Sequence, residues 1–249
     1  MEFTALSDIG QKRSVNEDRA AVFIRPDAIR LGVIADGMGG HNAGDIASEM
    51  AIIMLEEKFM NADESQFHSI PAVQEWLIQC VKEINREVYK HSLTHEDCQG
   101  MGTTLLAAFL SNQVNVLCHI GDSRAYSFFE GQLTQLTKDH SYVNVLVENG
   151  EITEEEAENH PKKNLIIKSL GTEKDIEPDL ILLSHRPLTT LLLCSDGLSN
   201  KVSKSNMASI LDLAASVEEK GKKLIQLANE NGGEDNISLV LINSMNEEV

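Results

Sequence analysis

In several places along this sequence a carboxylate stands where an apolar run meets a turn. "RLGVIADGMGGHNAG", residues 30–44, ends an apolar run in Asp36 and continues through a glycine-rich turn to His41. "LLLCSDGLS" ends another in Asp196 and Gly197, and "VLCHIGDSRA" ends one in Gly121 and Asp122. "NGGEDNISLVL" places Asp235 and Asn236 directly before an apolar run, and "SVNEDRAAV" does the same with Asn16, Glu17 and Asp18. An unpaired carboxylate at the edge of a core is costly, and several together repel and raise one another's pKa. The basic residues near these motifs are few: Arg13, Arg19, Arg124 and Lys201. A hard divalent cation resolves the conflict, because Mg²⁺ and Mn²⁺ prefer carboxylate, carbonyl and water oxygens. The glycine after Asp36 and after Asp196 permits a tight turn and leaves a backbone carbonyl able to face such an ion. Any one Asp-Gly is ordinary turn chemistry; the full set is hard to explain that way.

Other chemistries lack their residues. The eight histidines are scattered without a zinc spacing. The glycines of "DGMGGHNAG" break the G-x-G-x-x-G dinucleotide pattern at Asn42, and neither GxxxxGK[ST] nor a G-x-S-x-G elbow occurs. Cys80, Cys98, Cys118 and Cys194 form no Cys-x-x-Cys and read as buried free thiols of a reducing compartment. A formal charge of −18 argues against nucleic acid and anionic membrane as partners. No apolar run approaches the ~20 residues of a membrane span, and the start lacks a signal-peptide pattern, so a cytoplasmic protein is expected.

The elements that must position these carboxylates are mostly short strands. Runs rich in Val, Ile, Leu and Thr predict strands at 3–7, 19–24, 30–35, 103–110, 114–120, 125–129, 180–185, 190–194 and 237–242, with hairpin turns at 111–113 and 130–132. Helices are predicted over 44–60, with a stripe of Ile46, Met50, Ile53, Met54 and Leu55, and over 71–91, with Val73, Trp76, Leu77, Cys80, Val81, Ile84 and Val88. Two more are predicted over 205–215 and 217–229, the second opened by a Ser216/Glu219 capping box and stopped at Gly232 and Gly233. This order is no β-α-β alternation and implies an α+β fold of antiparallel sheets covered by helices. Residues 141–178 are polar and charged, with a Thr153/Glu156 capping box, and read as a surface excursion carrying a solvated helix.

Taken together the motifs resemble the metal-dependent protein serine/threonine phosphatases of the PPM, or type 2C, family in its compact bacterial form. The resemblance rests on "DIGQKRSVNEDR", "IADGMGGHNAG", "GMGTTL", "GDSRAY", "LTKDHS", "HPKKN", "CSDGLSN" and "GGEDNIS", in this order from end to end. It implies one catalytic domain over 1–249, an α-β-β-α four-layer sandwich, with a flap subdomain at about 141–178 that affects substrate choice. It implies two Mn²⁺ or Mg²⁺ ions in the cleft between the sheets. Asp36 would bridge both, the Gly37 carbonyl would bind one, and Asp196 and Asp235 the other. Glu17 and Asp18 would act directly or through waters, Asp122 with Asp196 would hold a third, weaker ion, and Arg13 would bind substrate phosphate. Hydroxide shared by the two ions would attack phosphorus in line, with no phosphoenzyme.

His41 is the candidate acid for the leaving alkoxide. Met38 stands where animal members carry their proposed acid histidine, so a plain turn histidine is the competing reading of His41. His140, in "KDHS", is read as structural. The implied partners are phosphoprotein substrates and a cognate bacterial Ser/Thr kinase, and the enzyme is expected to be a monomer. A non-catalytic phosphoprotein binder would lack a ligand position, and none is missing. A small-molecule phosphoesterase on the same fold is the other alternative.

Overall fold

A computed structural model describes residues 2–40, 43–183 and 190–243. The chain opens with β1 (Glu2–Asp8), β2 (Asp18–Ile24) and β3 (Arg30–Met38), followed by α1 (Ala43–Asn61) and α2 (Ile70–Thr94). Next come β4 (Gly102–Thr103), β5 (Leu105–Leu110), β6 (Asn115–Ile120), β7 (Arg124–Phe129) and β8 (Gln132–Gln135). The 141–178 segment carries α3 (Tyr142–Glu148) and α4 (Glu154–Glu158). The chain returns through β9 (Asp179–Leu182), β10 (Thr190–Cys194), α5 (Asp196–Ser199), α6 (Lys204–Leu211), α7 (Val217–Glu230) and β11 (Ile237–Asn243).

The strands form two antiparallel sheets, ordered β1-β11-β10-β7-β8 and β2-β3-β5-β6-β9, with β4 paired to β3. Strand alternation sorts the apolar side chains into layers. Leu239 and Leu241 of β11 pack against α5, α6 and α7, while Val240 and Ile242 between them point into the slab separating the sheets. In the other sheet Val33, Ala107 and Cys118 face α1 and α2, while Ile34, Leu106, Ala108 and Leu117 face inward. The order is therefore helix, sheet, sheet, helix, as expected.

Antiparallel order also gathers the carboxylates. The end of β3, the start of β2 and the end of β6 lie at one edge of their sheet. The end of β10 and the starts of β11 and β7 share one edge of the other. Asp36, Asp18, Asp122, Asp196 and Asp235 occupy these ends.

Helix α2 buries every residue of its predicted stripe. Helix α1 does not: Ile46 and Ile53 are exposed, and the buried face is Ala43, Ala47, Ala51, Leu55 and Phe59. Small residues at i, i+4 and i+8 take the first half of the buried face, Leu55 and Phe59 the second, and Met50 and Met54 pack at its border. The predicted strand 103–110 is interrupted at Thr104, whose backbone and hydroxyl are engaged by Asp36. Strand β8, "QLTQ", is too polar to be read as one. The predicted strand 180–185 is β9, and His185 lies outside the described residues. The capping boxes at Thr153/Glu156 and Ser216/Glu219 form as expected. Among the described residues no helix is long and apolar enough to cross a membrane, and all four cysteines are free and buried.

Candidate active site

Asp18 and Asp36 are direct cross-strand partners on β2 and β3, an arrangement that like charges destabilise. The backbone around Asp36 is fully committed. Its N–H donates to Thr104 Oγ1 at 3.0 Å, and its carbonyl accepts from the Thr104 N–H at 2.8 Å and Thr103 Oγ1 at 3.0 Å. This clamp fixes the carboxylate without neutralising it. Gly37 follows because a Cβ there would lie 2.1 Å from the Gly44 carbonyl oxygen in the first turn of α1. The same constraint holds after Asp196, where a Cβ on Gly197 would meet the Asn236 carbonyl oxygen at 1.9 Å. Both Asp-Gly pairs thus mark places where two chain segments touch.

The remaining acids arrive from four other segments. Glu17 precedes β2; its carbonyl accepts from the Gly37 N–H at 3.1 Å, and its carboxylate faces the N-terminus of α1 at Gly44. Asp122 sits on the turn between β6 and β7, buried, with Oδ1 lacking a partner. Asp196 opens α5 and accepts from Asn200 Nδ2 at 3.1 Å. Asp235 precedes β11 and pairs with Arg13 at 2.8 Å. Beside it Asn236 stitches three segments: its Oδ1 accepts from the Glu17 N–H, and its Nδ2 donates to the carbonyls of Ile9 and Val15.

The electrostatics state the problem that the sequence posed. Burial pushes Asp18 up to about 7, Asp196 to about 6 and Asp122 to about 8, and the neighbouring aspartates add to each rise. Asp36 is raised well above the carboxylate range by burial and then by Asp18, Asp196, Asp122 and Asp235. Glu17 is raised by burial. The nearby cations are spent elsewhere: Arg19 on Asp45, Lys201 on Glu234, and Arg124 on Asp139 in a two-pronged pair at 2.7–3.0 Å. Among the described residues only Arg13 pairs with a member of the cluster.

The donor set fits a hard divalent cation. It is all oxygen, it carries excess negative charge, and it includes the orphaned Asp122 Oδ1. Among the described residues no three acidic, histidine or cysteine side chains stand close enough together to hold a metal ion by themselves. An ion here would take one or two of these carboxylates and complete its shell with water and backbone carbonyl oxygens, as Mg²⁺ commonly does.

The structure thus brings together Asp18, Asp36, Asp122, Asp196 and Asp235, with Glu17 and Gly37 beside them and Arg13 at the exposed rim. His41 lies outside the described residues. Sequence reasoning missed the parts that hold the cluster. Ser195 Oγ donates to Asp18 Oδ2 at 2.6 Å and accepts from the Ser238 N–H at 3.0 Å. Thr104 and Asn236 act as described, and Asp139 binds Arg124. The motifs "GMGTTL", "GDSRAY" and "LTKDHS" were visible as strings; the pairings inside them were not. From Asp122 and Asp196 a cavity of about 820 Å³ opens between the 141–164 stretch and residues 199–204.

The profile of the family described as "Protein phosphatase 2C" matches residues 10–237. The chain is 41% identical over 236 residues to "Serine/threonine phosphatase stp" of Listeria monocytogenes serotype 4b, covering 95% of this chain and 93% of that one. The fold superposes on a serine/threonine phosphatase of S. agalactiae with a TM-score of 0.91 and 38% identity, covering 96% and 98% of the two chains. It superposes on the catalytic domain of the phosphatase PstP in complex with two manganese ions with a TM-score of 0.83 and 36% identity, covering 97% of each.

Proposed function

The chain belongs to the protein phosphatase 2C family, and we propose that it removes phosphate from phosphoserine and phosphothreonine of proteins at the acidic cleft just described. The observation that carries this is the clamped, unneutralised Asp36 among Asp18, Asp122, Asp196 and Asp235.

In this reading Asp36, the Gly37 carbonyl, Asp196 and Asp235 would hold two Mn²⁺ or Mg²⁺ ions, Asp36 serving both. Glu17 and Asp18 would support them, and Asp122 with Asp196 would take a third, weaker ion. The ions supply a water of lowered pKa and offset phosphoryl charge. The chain's own residues do the rest. Arg13 exchanges Asp235 for a phosphoryl oxygen and fixes the ester in the cleft. Thr104 and Ser195 hold Asp36 and Asp18 against mutual repulsion. His41, which follows "DGMGG" in the sequence and lies outside the described residues, would be the proton donor to the departing alkoxide.

Residues 141–178 act as the flap of a single domain, and the cavity they wall would receive chain flanking the phosphoresidue. On this reading the enzyme is a monomer that reverses the action of a Ser/Thr kinase in the cytoplasm, a reducing compartment that its free thiols fit. The test is hydrolysis of a phosphothreonine peptide with added Mn²⁺, its loss with EDTA, and its loss in Asp36→Ala and Asp196→Ala. Full activity in either variant contradicts the reading. A kcat/KM higher on free phosphometabolites than on the peptide would reassign the substrate class.

A further inference from the structure

His140 lies outside the acidic cluster, yet it grips the turn that carries Asp122. Its ring Nδ1 accepts from the Gly121 N–H at 3.0 Å, and its backbone N–H donates to the Gly121 carbonyl at 2.8 Å. One residue therefore holds both backbone polar groups of the position before Asp122. Acceptance at Nδ1 places the ring proton on Nε2, which faces Asp179 Oδ2 at 3.2 Å. Asp179 Oδ1 in turn takes Lys168 Nζ at 3.1 Å. His119, the cross-strand partner of Asp179, stacks on the His140 ring with centroids 4.8 Å apart and planes 21° apart. Burial holds both imidazoles below their usual range, His119 at about 3, so neither ring carries charge at pH 7.

The grip reaches further than Asp122. Ser123 Oγ lies 2.9 Å from Thr104 Oγ1, the atom that receives the Asp36 N–H. The carbonyl of His140 accepts from the Ile167 N–H at 2.9 Å, which ties the base of the 141–178 segment to the same residue. A side chain that only filled space would need no such ordered run from Lys168 through Asp179 and His140 to Gly121. Oriented outer partners of this kind set the aim of a ligating group.

We propose that His140 is a positioning residue for the ion taken by Asp122: its Nδ1 fixes the 121–123 turn and so aims the unpartnered Asp122 carboxylate. The proposal rests on the reading of Asp122 as a ligand. His140→Asn keeps an acceptor at the δ position, whereas His140→Gln moves the amide out to the ε position.

The test is calorimetric titration of Mn²⁺ into the full chain, without substrate, for wild type, H140N, H140Q, D122N and D122N/H140Q. Wild type and H140N are expected to bind alike. H140Q is expected to weaken the weakest bound ion by roughly tenfold to a hundredfold, the usual effect of losing an outer partner, and to change nothing further in the D122N background. Wild-type binding in H140Q, equal losses in H140N and H140Q, or a loss that persists beside D122N would overturn the proposal. If H140Q does not fold, H140A takes its place beside H140N: Mn²⁺ binding weakened in H140A and kept in H140N upholds the clamp, and equal binding in the two overturns it. Unchanged binding in D122N itself overturns the ligand reading, and the proposal falls with it.

Discussion

Asp18 and Asp36 face each other across neighbouring antiparallel strands, and both carboxyls are raised first by burial, Asp36 then by Asp18 and the other aspartates, and Asp18 by Asp196 and Asp235. A carboxyl whose folded pKa lies above its unfolded value of about 4 binds more protons folded than unfolded between those two pH values, so stability falls as pH rises through that window. For Asp18, Asp196 and Asp122 the window runs from about 4 up to about 7, 6 and 8. The protein in EDTA should therefore melt lower at pH 8 than at pH 6, by at least about 3 °C, the shift that roughly 1 kcal/mol gives in a domain of this size. Millimolar Mn²⁺ should remove the difference. Equal melting temperatures in EDTA at the two pH values would contradict this.

Arg13 pairs with Asp235 at 2.8 Å across the rim of the cleft. If it also receives phosphate, Arg13→Ala should raise KM for a phosphopeptide by roughly tenfold, the scale of one charge-assisted contact of about 1.5 kcal/mol. Mn²⁺ affinity should not fall, since the change only frees Asp235. Steady-state kinetics together with Mn²⁺ titration separate the two effects. A fall in ion affinity with unchanged KM would make Arg13 a support of Asp235 instead.

Thr104 is buried and spends its hydroxyl on the Asp36 N–H and on Ser123. Thr104→Val keeps the shape and leaves a buried N–H without a partner, at about 1–3 kcal/mol. The expected result is a lower denaturation midpoint and a fall in kcat larger than any rise in KM. Thr104→Ser, which retains the hydroxyl, should recover most of both. Unaltered kcat in the valine variant would mean that Asp36 is held by other groups.

Arg124 and Asp139 make a two-pronged ion pair near the cluster. Breaking such a pair leaves one uncompensated charge in a poorly solvated place, whereas removing both partners costs less. Asp139 also repels Asp122 and Asp196, so Arg124→Met should destabilise by about 3 kcal/mol and R124M/D139N by less. Urea unfolding of both variants and of D139N closes the cycle.

How much of this the sequence discloses depends on the range of the interaction. Helix α2 was legible because large apolar side chains mark its buried face. Helix α1 was legible in part on that same rule: Leu55 buries and Met50 and Met54 pack on the core, but alanines fill the rest of the buried face and Ile46 and Ile53 do not enter it. The aspartates were legible because each stands where an apolar run begins or ends, and Asp36, Asp122, Asp196 and Asp235 stand beside a glycine or asparagine, a local pattern. Their supports were not, because they join distant segments: Asn236 reaches Glu17 across 219 positions, and Ser195 reaches Asp18 across 177. Nothing in a serine or asparagine announces which carboxylate or amide it will meet, so such pairings emerge only when strand order is known.

If Asp36 is the shared seat of two ions, its loss should disable both. Calorimetric titration of Mn²⁺ into wild type and into Asp36→Ala, each checked for fold by circular dichroism, decides this. The wild type should take up two tightly bound ions, and Asp36→Ala should lose both together with hydrolysis of a phosphothreonine peptide. Two ions still tightly bound by Asp36→Ala, or only one of them lost, would contradict the claim.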